Sequence, residues 1–479
     1  MSLLQHGVPQ DALAEMSCFR TELYACLTGR RDALFELSDA LLCADGPVRT
    51  LVELSLEPEH RRGHGALYGG LNSGDLDVAR LRRTLAGLPL PRTASGRLVL
   101  ALDVSNWLRP DANTSPDRLF CHTYGRGRGS AQMIPGWPYS FVAALEPGRT
   151  SWTALLDVVR LCPWDDAIAV TAAQVRDVFQ RLYVTGQWQI GDPPVLVVVD
   201  AGYDVTRLAL LLADLPVELL GRMRSDRVLY FPPPPQPAGK RGRKPKRGAE
   251  FAFEVAATQP APSVTTVTAT THYGKAVATA WDRLHPLLVR RSAWAEHPEG
   301  DLPVIEGTVI RLQVDHLRGD RSPRPVWLWW SATAATAGDV DRLWQAFLRR
   351  FDLEHAFRML KQTLGWTAPK LREPAAADRW TWLVIAAHTQ LRLARPLAED
   401  LRNPWERPAR QGRLTPARVR RGFRRLHRKT PQPASAPKTT TAGPGRPIGT
   451  KNKHRAREHP VGKQHKPNLA GVIASSRAA

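Results

Sequence analysis

Two unbroken apolar runs constrain this chain more than any other feature: Leu98-Val-Leu-Ala-Leu102 and Val195-Leu-Val-Val-Val199, each followed at once by an aspartate, Asp103 and Asp200. Runs of this length and composition mark strands buried on both faces, as in the middle of a sheet with helices on either side. Ligand sites in open α/β sheets gather at the carboxyl ends of such strands, where both aspartates fall. One strand-end aspartate is most often an ordinary cap or turn residue. Two of them, followed by a charged helix, are much harder to obtain by chance.

The rest of the pattern fits around these strands. Arg118 to Tyr124 and Tyr139 to Leu145 read as two antiparallel neighbours, with Gly125-Arg-Gly-Arg-Gly as their turn, and helical spacing returns at Thr171 to Tyr183. A helix is expected at Val205 to Leu215 and a strand at Pro216 to Arg224. Between Phe251 and Ser331, the segments Thr265 to Thr271, Val304 to Val314 and Val326 to Trp330 are rich in β-branched and aromatic residues, so a β-rich insertion is expected. Residues from about 10 to 90 carry helical spacing broken by Gly- and Pro-containing turns. Their basic cluster, His60-Arg-Arg-Gly-His, suits a DNA-reading helical module and a solvated helical cap equally.

Val340 to Leu364 has helix-forming composition, no proline and no glycine, so a single helix is expected there. At about 100° per residue, Phe347, Arg350, Glu354 and Lys361 fall within an arc of roughly 60°, beside an apolar stripe of Ala346, Leu353, Phe357, Leu360 and Leu364. Such an arc is either a solvated salt-bridge face or a metal-binding carboxylate flanked by phosphate-holding cations. The spacing Phe-x2-Arg-x3-Glu-x6-Lys resembles the Tyr-x2-Arg-x3-Glu-x6-Lys signature of bacterial insertion-sequence transposases with an Asp-Asp-Glu active site, most like the insertion-sequence-701 group. Phe347 stands where that signature has tyrosine, which removes a hydroxyl from any phosphate contact.

The resemblance covers about residues 97 to 393. It implies an α/β fold with an RNase H-like catalytic core, formed by residues 96–225 and 332–400 and interrupted by a β-rich insertion at 226–331. A helical N-terminal domain (1–95) would precede the core and a basic, largely disordered tail (401–479) would follow it. It also implies cleavage at transposon ends, joining of the 3′ hydroxyl to target DNA, and two divalent ions, Mg2+ or Mn2+, held by Asp103, Asp200 and Glu354. In-line attack on a phosphodiester builds charge on the entering and leaving oxygens, which hard cations held by carboxylates can offset. Arg350 and Lys361 would hold adjacent phosphates, and Tyr203 would lie near the scissile strand. A homodimer on double-stranded DNA is the expected assembly.

Charge supports a polyanionic partner. The chain carries 67 Lys and Arg against 45 Asp and Glu, a formal +22. Lys240-Arg-Gly-Arg-Lys-Pro-Lys-Arg forms a basic loop that either lies along a phosphate backbone, with Arg243 and Lys244 among its contacts, or is simply solvated; six cations in eight residues would repel one another without a polyanion, which favours the backbone. From Arg402 onward there are about twenty Lys and Arg and two acids; apart from a helix at Thr415 to His427, disorder is expected. Gly443-Pro-Gly-Arg-Pro resembles a minor-groove hook centred on Arg446. Trp329 and Trp330 would stack on an extruded base or, more often for an aromatic strand, belong to the core. Five cysteines without a Cys-x-x-Cys pair read as free thiols of a reducing compartment, and no apolar run reaches membrane-spanning length, so a cytoplasmic, nucleoid-associated protein is expected. A structure-selective nuclease and a non-catalytic, domesticated DNA-binding protein share parts of this pattern.

Overall fold

A computed structural model describes residues 4–123, 132–148, 150–234, 247–291, 294, 301–317, 323–409, 413–438 and 454–462. The N-terminal layer is helical: α1 (Leu4–Cys26), α2 (Arg31–Cys43), α3 (Leu51–Leu54), α4 (His64–Ser73) and α5 (Val78–Gly87), with a small ladder between β1 (Leu27–Gly29) and β2 (Asp75–Leu76). Then come β3 (Val99–Leu108), β4 (Leu119–Thr123), β5 (Gln132–Leu145), β6 (Thr153–Arg160), α6 (Ala167–Val184), β7 (Val195–Val199), α7 (Val205–Leu211) and β8 (Val217–Met223). A short hairpin follows, β9 (Val228–Tyr230) with β10 (Glu250–Ala252), and then β11 (Val264–Thr270), β12 (Gly274–Leu284), β13 (Gly307–Val314) and β14 (Val326–Trp330). The chain closes with α8 (Ala337–Arg349), α9 (Phe351–Arg358), a π-helical turn (Met359–Thr363), α10 (Pro374–Ala394) and α11 (Pro416–His427).

One mixed sheet of ten strands organises the molecule, in the order β11-β12-β13-β14-β8-β7-β3-β5-β4 with β6 also on β5. β3, β7 and β8 are parallel neighbours at its centre, as their apolar runs require, and every residue of β7 is buried. The segment expected as an insertion does not stand apart: β14 pairs antiparallel with β8, so its four long strands continue the sheet. A mixed α/β architecture of this kind is consistent with an RNase H-like fold.

Both faces of the sheet are covered. One core joins Ala101, Phe141, Leu328 and Trp330 to the N-terminal helices and to α8 through α11. The other joins Leu102, Val197, Trp327 and Trp329 to α6, α7 and the β9–β10 hairpin. Since strand side chains alternate between faces, Trp329 and Trp330 enter opposite cores, at 0% and 4% exposure. Neither presents a face to a base, so the core alternative holds for both; their indole N–H groups donate to Leu284 O and to the Glu218 carboxylate.

The helix expected at Thr415 to His427 is present as α11, and the departure from expected disorder lies in the contacts made after it. α11 buries Val419, Phe423 and Leu426 against the helical layer. Beyond it, Pro431 O accepts from Arg20 and Ala434 O from Arg61, while residues 454–462 run along the surface to the edge of the sheet, where Gly462 pairs with Leu119 of β4. Arg446, Arg243 and Lys244 lie outside the described residues.

Candidate active site

The sheet brings Asp103 and Asp200 together as adjacent parallel strands must. Val99, Leu100 and Ala101 of β3 are in register with Leu196, Val197 and Val198 of β7, so Asp103 comes level with Asp200, the residue following β7; β3 does not end at Asp103 as its apolar run suggests but continues to Leu108, held by its pairing with β5. Asp200 opens a turn closed by Tyr203 N–H to Asp200 O at 3.1 Å, and Asp204 then caps α7 by accepting from Arg207 N–H at 3.0 Å. The Arg207 guanidinium pairs with Asp166, the cap of α6, which fixes the turn against the neighbouring helix.

The third acid arrives on a helix that is not the single rod the sequence suggests. α8 ends at Arg349, Arg350 forms a tight turn with its N–H on Phe347 O, and α9 carries Glu354. The π-helical turn places the Leu364 N–H on Met359 O, and Gly365 at φ +66° ends the element. A side chain there would meet Val48 O at 2.5 Å, so the sharp exit needs glycine.

Arg350 is the centre of the arrangement. Its Nη1 lies 3.0 Å from Asp103 Oδ2, and its Nη2 lies 3.3 Å from Asp200 Oδ2 and 3.2 Å from Glu354 Oε1. The residue is 2% exposed, whereas the Glu354 side chain is about half exposed at 49%. Asp103 Oδ1 accepts from Val104 N–H at 2.8 Å. Burial pushes the Asp103 carboxyl up to about 6; Arg350 and that amide oppose the shift, while Asp200 and Glu354 add to it. Asp200 Oδ1 is buried with no hydrogen-bond partner.

That orphaned oxygen bears on whether the site suits a cation. Three carboxylates converge within reach of one guanidinium, one of their buried oxygens is unsatisfied, and all the donors are hard oxygens of the kind Mg2+ and Mn2+ prefer. The residues fit a divalent centre. A second gathering of ligand types, Cys43, Glu59 and His427, is differently engaged: Glu59 pairs with Arg424 at 3.1 Å and His427 faces Asp39 at 3.0 Å.

The other expected site residues divide. Lys361 is half-buried over the Trp366 ring at 5.6 Å; desolvation lowers its pKa, and the nearby Asp103 charge partly opposes that. The Tyr203 hydroxyl is buried close to Ser140 and Asp103, and burial raises its pKa, so it belongs to the floor beneath the carboxylates. Phe347 does not share the exposed arc. It is 3% exposed and packs in the core, with the Arg350 guanidinium 5.9 Å from its ring. Phe351, not singled out in the sequence, does reach the surface beside the acids, 5.1 Å from the same guanidinium. Only the Arg350-to-Glu354 pair, four residues apart, carried a sequence signal for the ion-pair cluster.

A family model described as DDE superfamily endonuclease matches residues 22–287. The match spans more than half of the 479 residues, and the chain belongs to this family. It includes Asp103 and Asp200 and stops short of the helix that carries Glu354. A search of curated proteins found no match to the chain. Endonucleases of this family act on DNA and generally depend on divalent metal. No helix among the described residues is long and apolar enough to cross a membrane.

Proposed function

We propose that this protein is an insertion-sequence transposase, of the group with the Tyr-Arg-Glu-Lys signature, that cleaves DNA at the ends of its element and joins the 3′ hydroxyls to target DNA. The observation that carries the reading is the convergence of Asp103, Asp200 and Glu354 on Arg350, with Asp103 inside β3 level with Asp200 at the carboxyl end of the parallel neighbour β7. Family membership supports the class of chemistry, and the +22 charge supports a DNA partner.

Asp103, Asp200 and Glu354 would hold two divalent ions, which when bound supply charge for the entering and leaving oxygens of the phosphodiester and lower the pKa of the attacking hydroxyl. The protein's own share is positional. β3 and β7 fix two acids on rigid strands, the turn capped by Asp204 fixes the angle of Asp200, and α9 leaves Glu354 open to solvent on the side from which DNA must approach. Lys361 adds a cation beside Asp103 for the strand's phosphates. Two protomers would act together, one for each end.

Asp103→Asn, Asp200→Asn and Glu354→Gln test the reading. Each removes one anionic ligand yet leaves Arg350 two carboxylates, so the folded state should persist. Magnesium-dependent cleavage of the DNA flanking its gene should fall by orders of magnitude, with binding of that DNA in EDTA unchanged or slightly tighter. Wild-type cleavage in any one variant removes that residue from the centre. Loss of folding in all three makes the cluster a structural ion-pair network.

A further inference from the structure

Arg350 has more partners than a phosphate-holding side chain needs. Its guanidinium bonds to Asp103 and Glu354 and forms an ion pair with Asp200, and the whole residue is 2% exposed. Phe347 and Phe351 lie 5.9 and 5.1 Å from its Cζ and hold its position. One positive charge therefore sits among the three carboxylates that the proposed function assigns to divalent metal. At separations of about 4 Å in a partly dry site, a fixed guanidinium and a dication repel strongly, so the two compete for the same anions. The geometry adds a second conflict. Both Nη groups, which a phosphate would engage, are already aimed at the acids, and the third nitrogen, Nε, is buried without a partner.

We propose that Arg350 is a built-in counter-cation that competes with divalent metal for Asp103, Asp200 and Glu354, and that metal entry releases its guanidinium toward the DNA phosphate. The inference rests on the carboxylate-centre reading above. It makes metal and DNA mutually supportive: each favours the arrangement in which Arg350 has left the acids, and linkage requires the coupling to be reciprocal. In the free protein, metal is held weakly, and the acids are kept from repelling one another by the arginine.

The test is Mn2+ binding by calorimetry on full-length wild type, Arg350→Gln and Asp200→Asn, with melting in EDTA alongside. Arg350→Gln should bind Mn2+ roughly tenfold tighter or more, since a competing cation has gone. It should also melt at a lower temperature in EDTA, where three acids face one another uncompensated, and Mn2+ should close that gap. Equal or weaker Mn2+ binding in Arg350→Gln overturns the proposal while the metal centre stands. Absence of any wild-type Mn2+ binding sensitive to Asp200→Asn overturns the centre itself, and the proposal with it. Should Arg350→Gln fail to fold, the wild type is labelled with phenylglyoxal and mapped by peptide mass. Labelling of Arg350 should rise when Mn2+ is added, and no rise overturns the proposal.

Discussion

Composition suggests that the chain after Arg402 is a solvated arm for DNA; packing argues that its helical part is structural, and Phe423→Ala separates the two. Phe423 is fully buried on the inner face of α11 beside Val419 and Leu426, in the core shared with α2 and α10. Truncating a buried phenylalanine costs about 3–5 kcal/mol, a large part of the roughly 5–15 kcal/mol that holds a domain folded. The arginines of the helix are already engaged. Arg420 donates to Leu41 O at 3.1 Å and Gly46 O at 2.6 Å, Arg418 pairs with Asp400, Arg421 with Glu406, Arg424 with Glu57 and Glu59, and Arg425 with Glu399. Urea unfolding followed by tryptophan fluorescence should therefore show a clear drop in stability for Phe423→Ala, and deletion of 402–479 should disrupt the helical layer. The salt dependence of DNA binding in Phe423→Ala, measured where it is folded, should match wild type. A variant within about 0.5 kcal/mol of wild type, together with a folded 402–479 deletion whose salt slope is shallower, would refute the packing argument and restore the solvated arm.

Two further outcomes follow from buried groups. His388 is fully buried in α10, and desolvation, with a smaller contribution from Arg392, lowers its pKa from 6.5 to about 4. The unfolded chain binds this proton first as pH falls, so the stability contributed is complete above about 6.5 and declines down to about 4, by roughly 3 kcal/mol in all. His388→Leu should flatten the stability profile in that window, and an unchanged slope would show that imidazole burial is not its source. Phe347→Tyr adds a hydroxyl at a site only 3% exposed, so it should cost about 1–3 kcal/mol by thermal melting and leave affinity for DNA ends unchanged. A gain in end affinity would mean that the ring reaches the phosphate after all.

What could be read ahead of the structure was what local chemistry dictates. Val195 to Val199 announces a central strand because no other environment tolerates five consecutive branched or long aliphatic residues so cheaply, and Asp200 is then placed by chain continuity alone. β6 escaped notice because Asp157 interrupts its apolar run; the structure buries that carboxylate between Arg82 and Arg181, which come from α5 and α6. A charged residue inside a strand is legible only once its distant partners are known. Arg350 makes the same point at the site. Sequence offers it Glu354, one turn away, and on that basis its charge looks free for phosphate. Its bond to Asp103 and its ion pair with Asp200 are made by the sheet, which sets neighbouring positions of β3 and β7, from far earlier in the chain, against α9. The identity of the acids is thus local information and the occupation of the arginine is not. A spacing motif can nominate the residues of such a centre without showing which partners one of them holds before metal and DNA arrive.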